Sequence, residues 1–220
     1  LVLEVASNDG TALREFQKLG MRVLGVEPAR NIAAVANENG VNTVAEFFNA
    51  KTAQDLAESH GQVPAILARH VFAHVDDVHD FLNGIQEVLA KEGVFVIEVP
   101  YWGDLVDNVE FDTIYHEHLS YFSLGSLSEL CDRHDLRIVD IERIGLHGGS
   151  VLVFVKHRES TTVVSDRVHD IKEVESIKRY SSIERLDRFT KAVMEWRAKF
   201  EALVQDCLLS TSQSTRDATL

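Results

Sequence analysis

Short apolar runs bounded by turn residues alternate with amphipathic segments through the first hundred positions. The runs fall at 1–6 (LVLEVA), 22–27 (RVLGVE), 42–45 (NTVA), 65–69 (AILAR) and 93–99 (GVFVIEV), and each predicts a strand. Helical spacing of apolar positions predicts helices near 11–19, 30–39, 50–59 and 77–90. Strands that are apolar throughout, rather than on one face, belong to a parallel sheet covered on both sides. After residue 100 the rhythm changes. The Ser-x-x-Glu stretch "SLSE" at 126–129 predicts a capping box opening a short helix over 126–133. "LRIVDIER" and "GGSVLVFVKH" then form two strands joined by a short Gly-containing connection, a hairpin signal.

Five βα units closed by an antiparallel hairpin resemble the Rossmann-like α/β fold of class I methyltransferases. Three segments are expected: a domain over 1–160, a helical extension over 161–208, and a polar tail over 209–220 expected to be disordered. In the extension Leu186, Phe189, Val193, Trp196, Phe200 and Leu203 step by three and four and form one apolar stripe. The stripe either packs on its own domain or makes a seam for a second copy of the chain or for another neighbour.

The formal charge of −13, with no Lys/Arg cluster, excludes a phosphate-neutralising face for nucleic acid. No run approaches the roughly 20 apolar residues of a membrane span. Cys131 and Cys207 are too few for a disulfide framework, so a reducing cytoplasm is expected. The chain opens within a strand and without an initiating Met, so further residues upstream are expected.

Ligands of such sheets sit at the carboxyl ends of the strands, near the switch in strand order. The first junction reads "LEVASNDGTAL". A dinucleotide fingerprint would carry three glycines. Here Ala6, Ser7, Asn8 and Asp9 lead to a single Gly10, and Glu4 and Asp9 add carboxylates that repel a pyrophosphate. A cationic ligand with an adenosine, S-adenosyl-L-methionine, suits the site better. Glu27 ends the second strand close to the spacing expected of the acid that accepts ribose hydroxyls. Phe47 and Phe48 follow the third strand, where either one stacks on adenine or packs in the core. Arg69 and His70 end the fourth strand as further expected cofactor contacts, and Glu98 and Tyr101 end the fifth, near the reacting centre, as expected substrate contacts.

With "EVASNDGTAL", "GVEPARNIA", "ARHVFAHVDD", "VIEVPY", "FDTIYHEHLSYFS" and "HGGSVLVFV" in order, the chain resembles the SAM-dependent sugar C-methyltransferases of deoxysugar biosynthesis over residues 1 to about 157. That resemblance implies methylation of a ring carbon beside a ketone in a nucleotide-linked sugar, through an enolate. It implies His118 as the base, Glu117 as its electrostatic support and Tyr115 as a hydrogen-bonding partner of the substrate. Family members also carry a cysteine-rich zinc module and a further downstream domain that are not in this sequence, and Leu152 stands where an Arg is common.

The residues ask for similar chemistry by themselves. Abstraction of a proton beside a carbonyl needs a base poised near neutral pH, for which His is suited. In an extended chain His116 and His118 share one face while Tyr115 and Glu117 share the other, so joint action requires a turn. His116 has no assigned role beyond a substrate contact. His70 and His74 stand four apart like zinc ligands, but "HVFAH" lacks the Glu of H-E-x-x-H, so no metal is expected. Alternatives are an O- or N-methyltransferase using the same base on a hydroxyl or amine, and a SAM-binding remnant without activity. A homodimer through the C-terminal helix is the expected macromolecular contact.

Overall fold

The computed structural model describes residues 1–146 and 148–217, with side chains as far as 208. His147, within the "HGGS" stretch, and 218–220 lie outside the described residues. Seven strands form one sheet: β1 (Val2–Val5), β2 (Val23–Val26), β3 (Thr43–Val44), β4 (Val63–Arg69), β5 (Leu89–Pro100), β6 (Leu136–Ile144) and β7 (Ser150–His157). Their order is β3-β2-β1-β4-β5-β7-β6. The first five are parallel, and β7 runs antiparallel to both β5 and β6. Strand order reverses between β1 and β4, which places the ligand crevice at their carboxyl ends.

The apolar runs do what the pattern predicts. Leu3, Leu24, Ile66 and Ile97 are fully buried in the sheet. The layers over it come from α1 (Thr11–Lys18), α2 (Arg30–Glu38), α3 (Ala50–His60) and α4 (Val78–Val88), followed by α5 (Trp102–Asn108) and α6 (Leu124–Asp132). Phe81 of α4 meets Phe48, Phe72 and Phe95 at ring distances of 5.0, 5.3 and 6.3 Å, a buried aromatic knot under the crevice.

Several boundaries differ from the pattern. β5 begins at Leu89 rather than 93, because a register shift against β4 lets the strand absorb Gly93. A Cβ at Gly93 would stand 2.9 Å from the Ala90 carbonyl oxygen. The capping box of α6 is Ser123 with Ser126, not Ser126 with Glu129, so the helix starts two residues earlier. The long C-terminal helix is two helices, α7 (Asp166–Lys178) and α8 (Ile183–Asp217). Arg179 takes a left-handed conformation between them (φ 50), and Tyr180 turns into the domain. The helix carries on to Asp217, through much of the stretch expected to be disordered.

The stripe of α8 divides its loyalties. Phe189 packs with Leu105, Val106 and Tyr180, and Trp196 stands edge-on to Phe111 at 4.9 Å. Phe200, stacked on Trp196 at 5.0 Å, is half exposed, and Leu203 and Leu208 are more open still. Among the described residues no helix is long and apolar enough to cross a membrane.

Candidate active site

The turn from β1 into α1 is shaped by alternating left-handed residues: Ala6 (φ 54), Asn8 (φ 52) and Gly10 (φ 76). Gly10 is required twice, for its φ and because a Cβ there would lie 2.8 Å from the Val41 side chain. Asn tolerates this conformation, whereas Ala6 stores strain of about 1–3 kcal/mol. Glu27 holds the turn from below. Its carboxylate accepts the Asn8 and Ala29 amides, both at 3.0 Å, while remaining buried. Asp9 caps the start of α1 by accepting the Thr11 amide at 3.0 Å, and the Thr11 hydroxyl and amide hold its carboxyl below the usual range.

Glu4 lies inside the sheet end. One oxygen, Oε1, accepts Arg69 Nε and Nη2 at 2.9 and 2.6 Å. The other, Oε2, is buried and has no partner among the described residues, as has Ser7 Oγ. Burial pushes the Glu4 carboxyl up, against the opposing pull of Arg69. An orphaned carboxylate oxygen in a crevice is costly unless a donor arrives. An ammonium group fits that place, and the outward side of Arg69 fits a carboxylate.

Beside this turn opens a cleft of about 410 Å³, of ordinary size for a small-molecule site. Ala6, Val26, Pro28, Phe47 and Val75 give it apolar walls, and His74 and Asp76 stand at its rim. Phe47 is 73% exposed and free to face a ring, whereas Phe48 is committed to Phe81. His70 sits at the end of β4 with a left-handed backbone (φ 51), its Nε2 2.7 Å from Glu98 Oε1. It is therefore not on a helix with His74, and no group of three or more metal-ligating side chains occurs among the described residues.

The "YHEH" run contains a turn that brings two of its members together. The His118 amide donates to the Tyr115 carbonyl at 3.1 Å, and this turn brings residues 115 and 118 onto one side. Their ring centroids are 4.4 Å apart, with Tyr115 Oη 3.5 Å from His118 Nε2. His118 Nδ1 is 2.7 Å from the Thr113 carbonyl oxygen. A carbonyl only accepts, so Nδ1 carries a proton, which leaves Nε2, beside Tyr115, as the nitrogen that can take up or release one. His74 is fixed the same way, with Nδ1–H donating to the Glu117 carbonyl at 2.8 Å, and its ring lies 4.9 Å from that of His118.

Three expected residues stand elsewhere. The Glu117 side chain is turned to His116 at 3.9 Å rather than to His118, and both are largely exposed. The carbonyl of Thr113, not the carboxylate of Glu117, orients His118. Tyr101 is buried and donates to Glu175 Oε1 at 2.9 Å. Burial and the Glu175 charge push its phenol far up, and the residue braces α7 rather than facing the cleft. His74 is the residue the sequence pattern passed over. Its signal was present in "ARHVFAH": a titratable side chain within one short turn of the carboxyl end of a central strand.

This sheet order, with a crevice at the β1–β4 switch and an acidic, glycine-poor first turn, defines a methyltransferase of class I fold. The chain belongs to the methyltransferase-domain family, whose model matches residues 1–141, and a second model, the C-methyltransferase C-terminal domain, matches residues 145–213. It is 49% identical to the C-methyltransferase NovU of Streptomyces niveus over 154 residues, 70% of this chain and 37% of that protein. It is 22% identical to a ubiquinone biosynthesis O-methyltransferase of Bartonella bacilliformis, over 63% of this chain and 60% of that protein. The chain thus spans about a third to three-fifths of these relatives. Among solved structures, a SAM-dependent methyltransferase from Anabaena variabilis superposes with a TM-score of 0.56 at 14% identity, over 71% of this chain and 76% of that one. A chain of the complex between the Haloferax volcanii Trm112 methyltransferase activator and a putative methyltransferase superposes with a TM-score of 0.57 at 16% identity, over 72% and 82%. These likenesses show the fold.

Proposed function

We propose that this chain is the cofactor-binding and proton-abstracting core of a SAM-dependent C-methyltransferase that methylates a carbon beside a ketone in a nucleotide-linked sugar, in the cytoplasm. The observation that carries the reading is the pairing of His118 Nε2, 3.5 Å from the Tyr115 hydroxyl, with a cleft whose lining includes the adjoining His74. When bound, SAM supplies an electrophilic methyl group on a sulfonium.

The chain's residues divide the remaining work. Glu4 Oε2 and Arg69 take the ammonium and carboxylate of the cofactor's amino-acid end, Glu27 accepts the ribose hydroxyls, and Phe47 covers the adenine. His118 removes the proton from the substrate carbon through Nε2, and the Thr113 carbonyl stabilises the imidazolium that results. Tyr115 donates its hydroxyl to the developing enolate oxygen, which stabilises the negative charge gathering there and makes the proton on the neighbouring carbon easier to remove. Positioning of the substrate carbon against the methyl donor by these residues would supply much of the rate. The open apolar flank of α8 supports a second copy of this chain as its macromolecular contact.

Calorimetric titration of the purified chain with S-adenosylhomocysteine, with NAD as the control, tests the cofactor half. Micromolar binding of the former alone is expected. Glu27→Ala is expected to weaken it by about 1–3 kcal/mol, roughly 5- to 150-fold, for the loss of charge-assisted hydrogen bonds. Binding of NAD instead would overturn the reading. Methyl transfer to substrates that have a hydroxyl or amine but no acidic C–H would move the assignment to the O- or N-methyltransferases.

A further inference from the structure

The loop that carries His118 touches the cofactor side of the molecule through one short segment. Phe72, Ala73 and His74 form a single 3-10 turn directly after β4. Phe72 anchors it in the core, stacked on Phe122 at 5.1 Å. The Ala73 carbonyl accepts two amides of the catalytic loop, Leu119 at 2.9 Å and Ser120 at 3.2 Å. His74 adds the third tie, its Nδ1–H donating to the Glu117 carbonyl at 2.8 Å. Beyond these ties the loop has little to hold it: Ile114, Tyr115 and Leu119 are each about half exposed, and the side chains of His116 and Glu117 face solvent.

His74 is the member of this turn that also forms the rim of the cleft, together with Val71 and Val75 on either side. One residue therefore lines the cleft and also holds the loop of His118 through its Nδ1–H. Any ligand that packs against that ring restricts its rotation, and so favours the tie to Glu117 and the position of His118 one residue further on. Such a coupling is reciprocal: what cofactor does for the loop, loop closure does for cofactor affinity.

We propose that His74 is a positioning residue, a latch through which an occupied cofactor cleft orders the loop 115–120 and sets His118 in place. It acts through the Glu117 carbonyl and not by exchanging protons with substrate. The inference rests on the cofactor reading above, and its test separates the two.

Hydrogen–deuterium exchange of the full chain, followed by mass spectrometry, reads the peptide spanning Tyr115 to Ser120 with and without saturating S-adenosylhomocysteine. In the wild type the ligand is expected to slow exchange of this peptide by about fivefold or more, the lower end of ordinary coupling. His74→Asn keeps an N–H near the place of Nδ1 and is expected to retain the protection. His74→Gln carries its amide near the place of Nε2, leaves the Glu117 carbonyl without a donor, and is expected to lose it while still binding the ligand. Wild-type binding without protection, or equal protection in the Gln variant, would overturn the latch alone. Absence of ligand binding in the wild type would overturn the cofactor reading and this inference with it. Where a variant folds poorly, binding without protection in the wild type still overturns the latch.

Discussion

The orientation of the His118 ring is set by a backbone carbonyl, not by a carboxylate. Thr113 and His118 lie five residues apart in one tight loop, so the tautomer is set locally and survives changes at the exposed Glu117. His118→Ala is expected to lower turnover of a keto-sugar nucleotide by about 10²–10⁴-fold. Affinity for S-adenosylhomocysteine should change little, because the ring faces Tyr115 and His74 rather than the β1 turn. A parallel loss of ligand binding would make the residue structural. At this scale the sequence was informative about chemistry and less so about direction. Residue types and order grouped Tyr115, Glu117 and His118, provided that a turn intervened, and the turn brings together Tyr115 and His118 alone. Nothing in the local pattern says that Glu117 faces outward to His116, or that Tyr101 is spent on Glu175, 74 residues away.

The elements are held in register by a few charged contacts at their ends, and Asp107 of α5 is the busiest. It accepts the Tyr180 hydroxyl at 2.8 Å and Lys178 Nζ at 2.5 Å, and it also pairs with Arg185, so α7, the break after it and the start of α8 all report to one carboxylate. Burial by itself would raise its pKa, but the hydrogen bonds from Lys178 and Tyr180, with the Lys178 and Arg185 charges, bring it below the usual value. A carboxyl depressed in the folded state contributes stability above its unfolded pKa, near 3.9, and loses it as pH falls through the folded value. Asp107→Asn is therefore expected to cost about 1–2 kcal/mol at neutral pH. Urea unfolding curves recorded from pH 7 downward should converge with those of the wild type below about pH 4. A constant gap down to pH 3 would contradict the assignment. Helical spacing revealed α8 and its stripe from the sequence, and βα alternation revealed the sheet. The break at 179–182 was hidden because it depends on burying Tyr180 against α5, a contact that spans more than 70 residues. The α6 cap was missed for a milder reason: Ser123 and Ser126 both offer hydroxyls, and only the backbone decides which one precedes the first turn.

For the whole molecule the unresolved matter is α8, which runs about 39 Å from Ile183 to Leu208 at 1.5 Å per residue. The domain uses one flank of its stripe, through Phe189 and Trp196, and leaves Met194, Phe200, Leu203 and Leu208 about half exposed or more. The 3-4-3-4-3 spacing from Leu186 to Leu203 is the period of a helix that packs on another helix along its length. Charge along α8 is asymmetric. In 183–200 Arg185, Arg188, Lys191, Arg197 and Lys199 outnumber Glu184, Asp187 and Glu195, whereas in 201–217 Glu201, Asp206 and Asp217 outnumber Arg216. Two copies laid antiparallel set the basic half of one against the acidic half of the other, which favours a second copy over an unrelated apolar partner. The net charge of −13 per chain opposes association at low salt. Sedimentation across a range of protein concentrations should accordingly show a monomer–dimer equilibrium that strengthens as moderate salt screens the overall repulsion. Leu203→Glu, which puts a charge into the open part of the stripe and touches neither cleft nor catalytic loop, should shift that equilibrium to monomer and leave S-adenosylhomocysteine binding as it was. A wild-type chain that stays monomeric at every concentration would rule out the second copy and assign the face to another protein. A dimer indifferent to Leu203→Glu would place the interface elsewhere on the molecule.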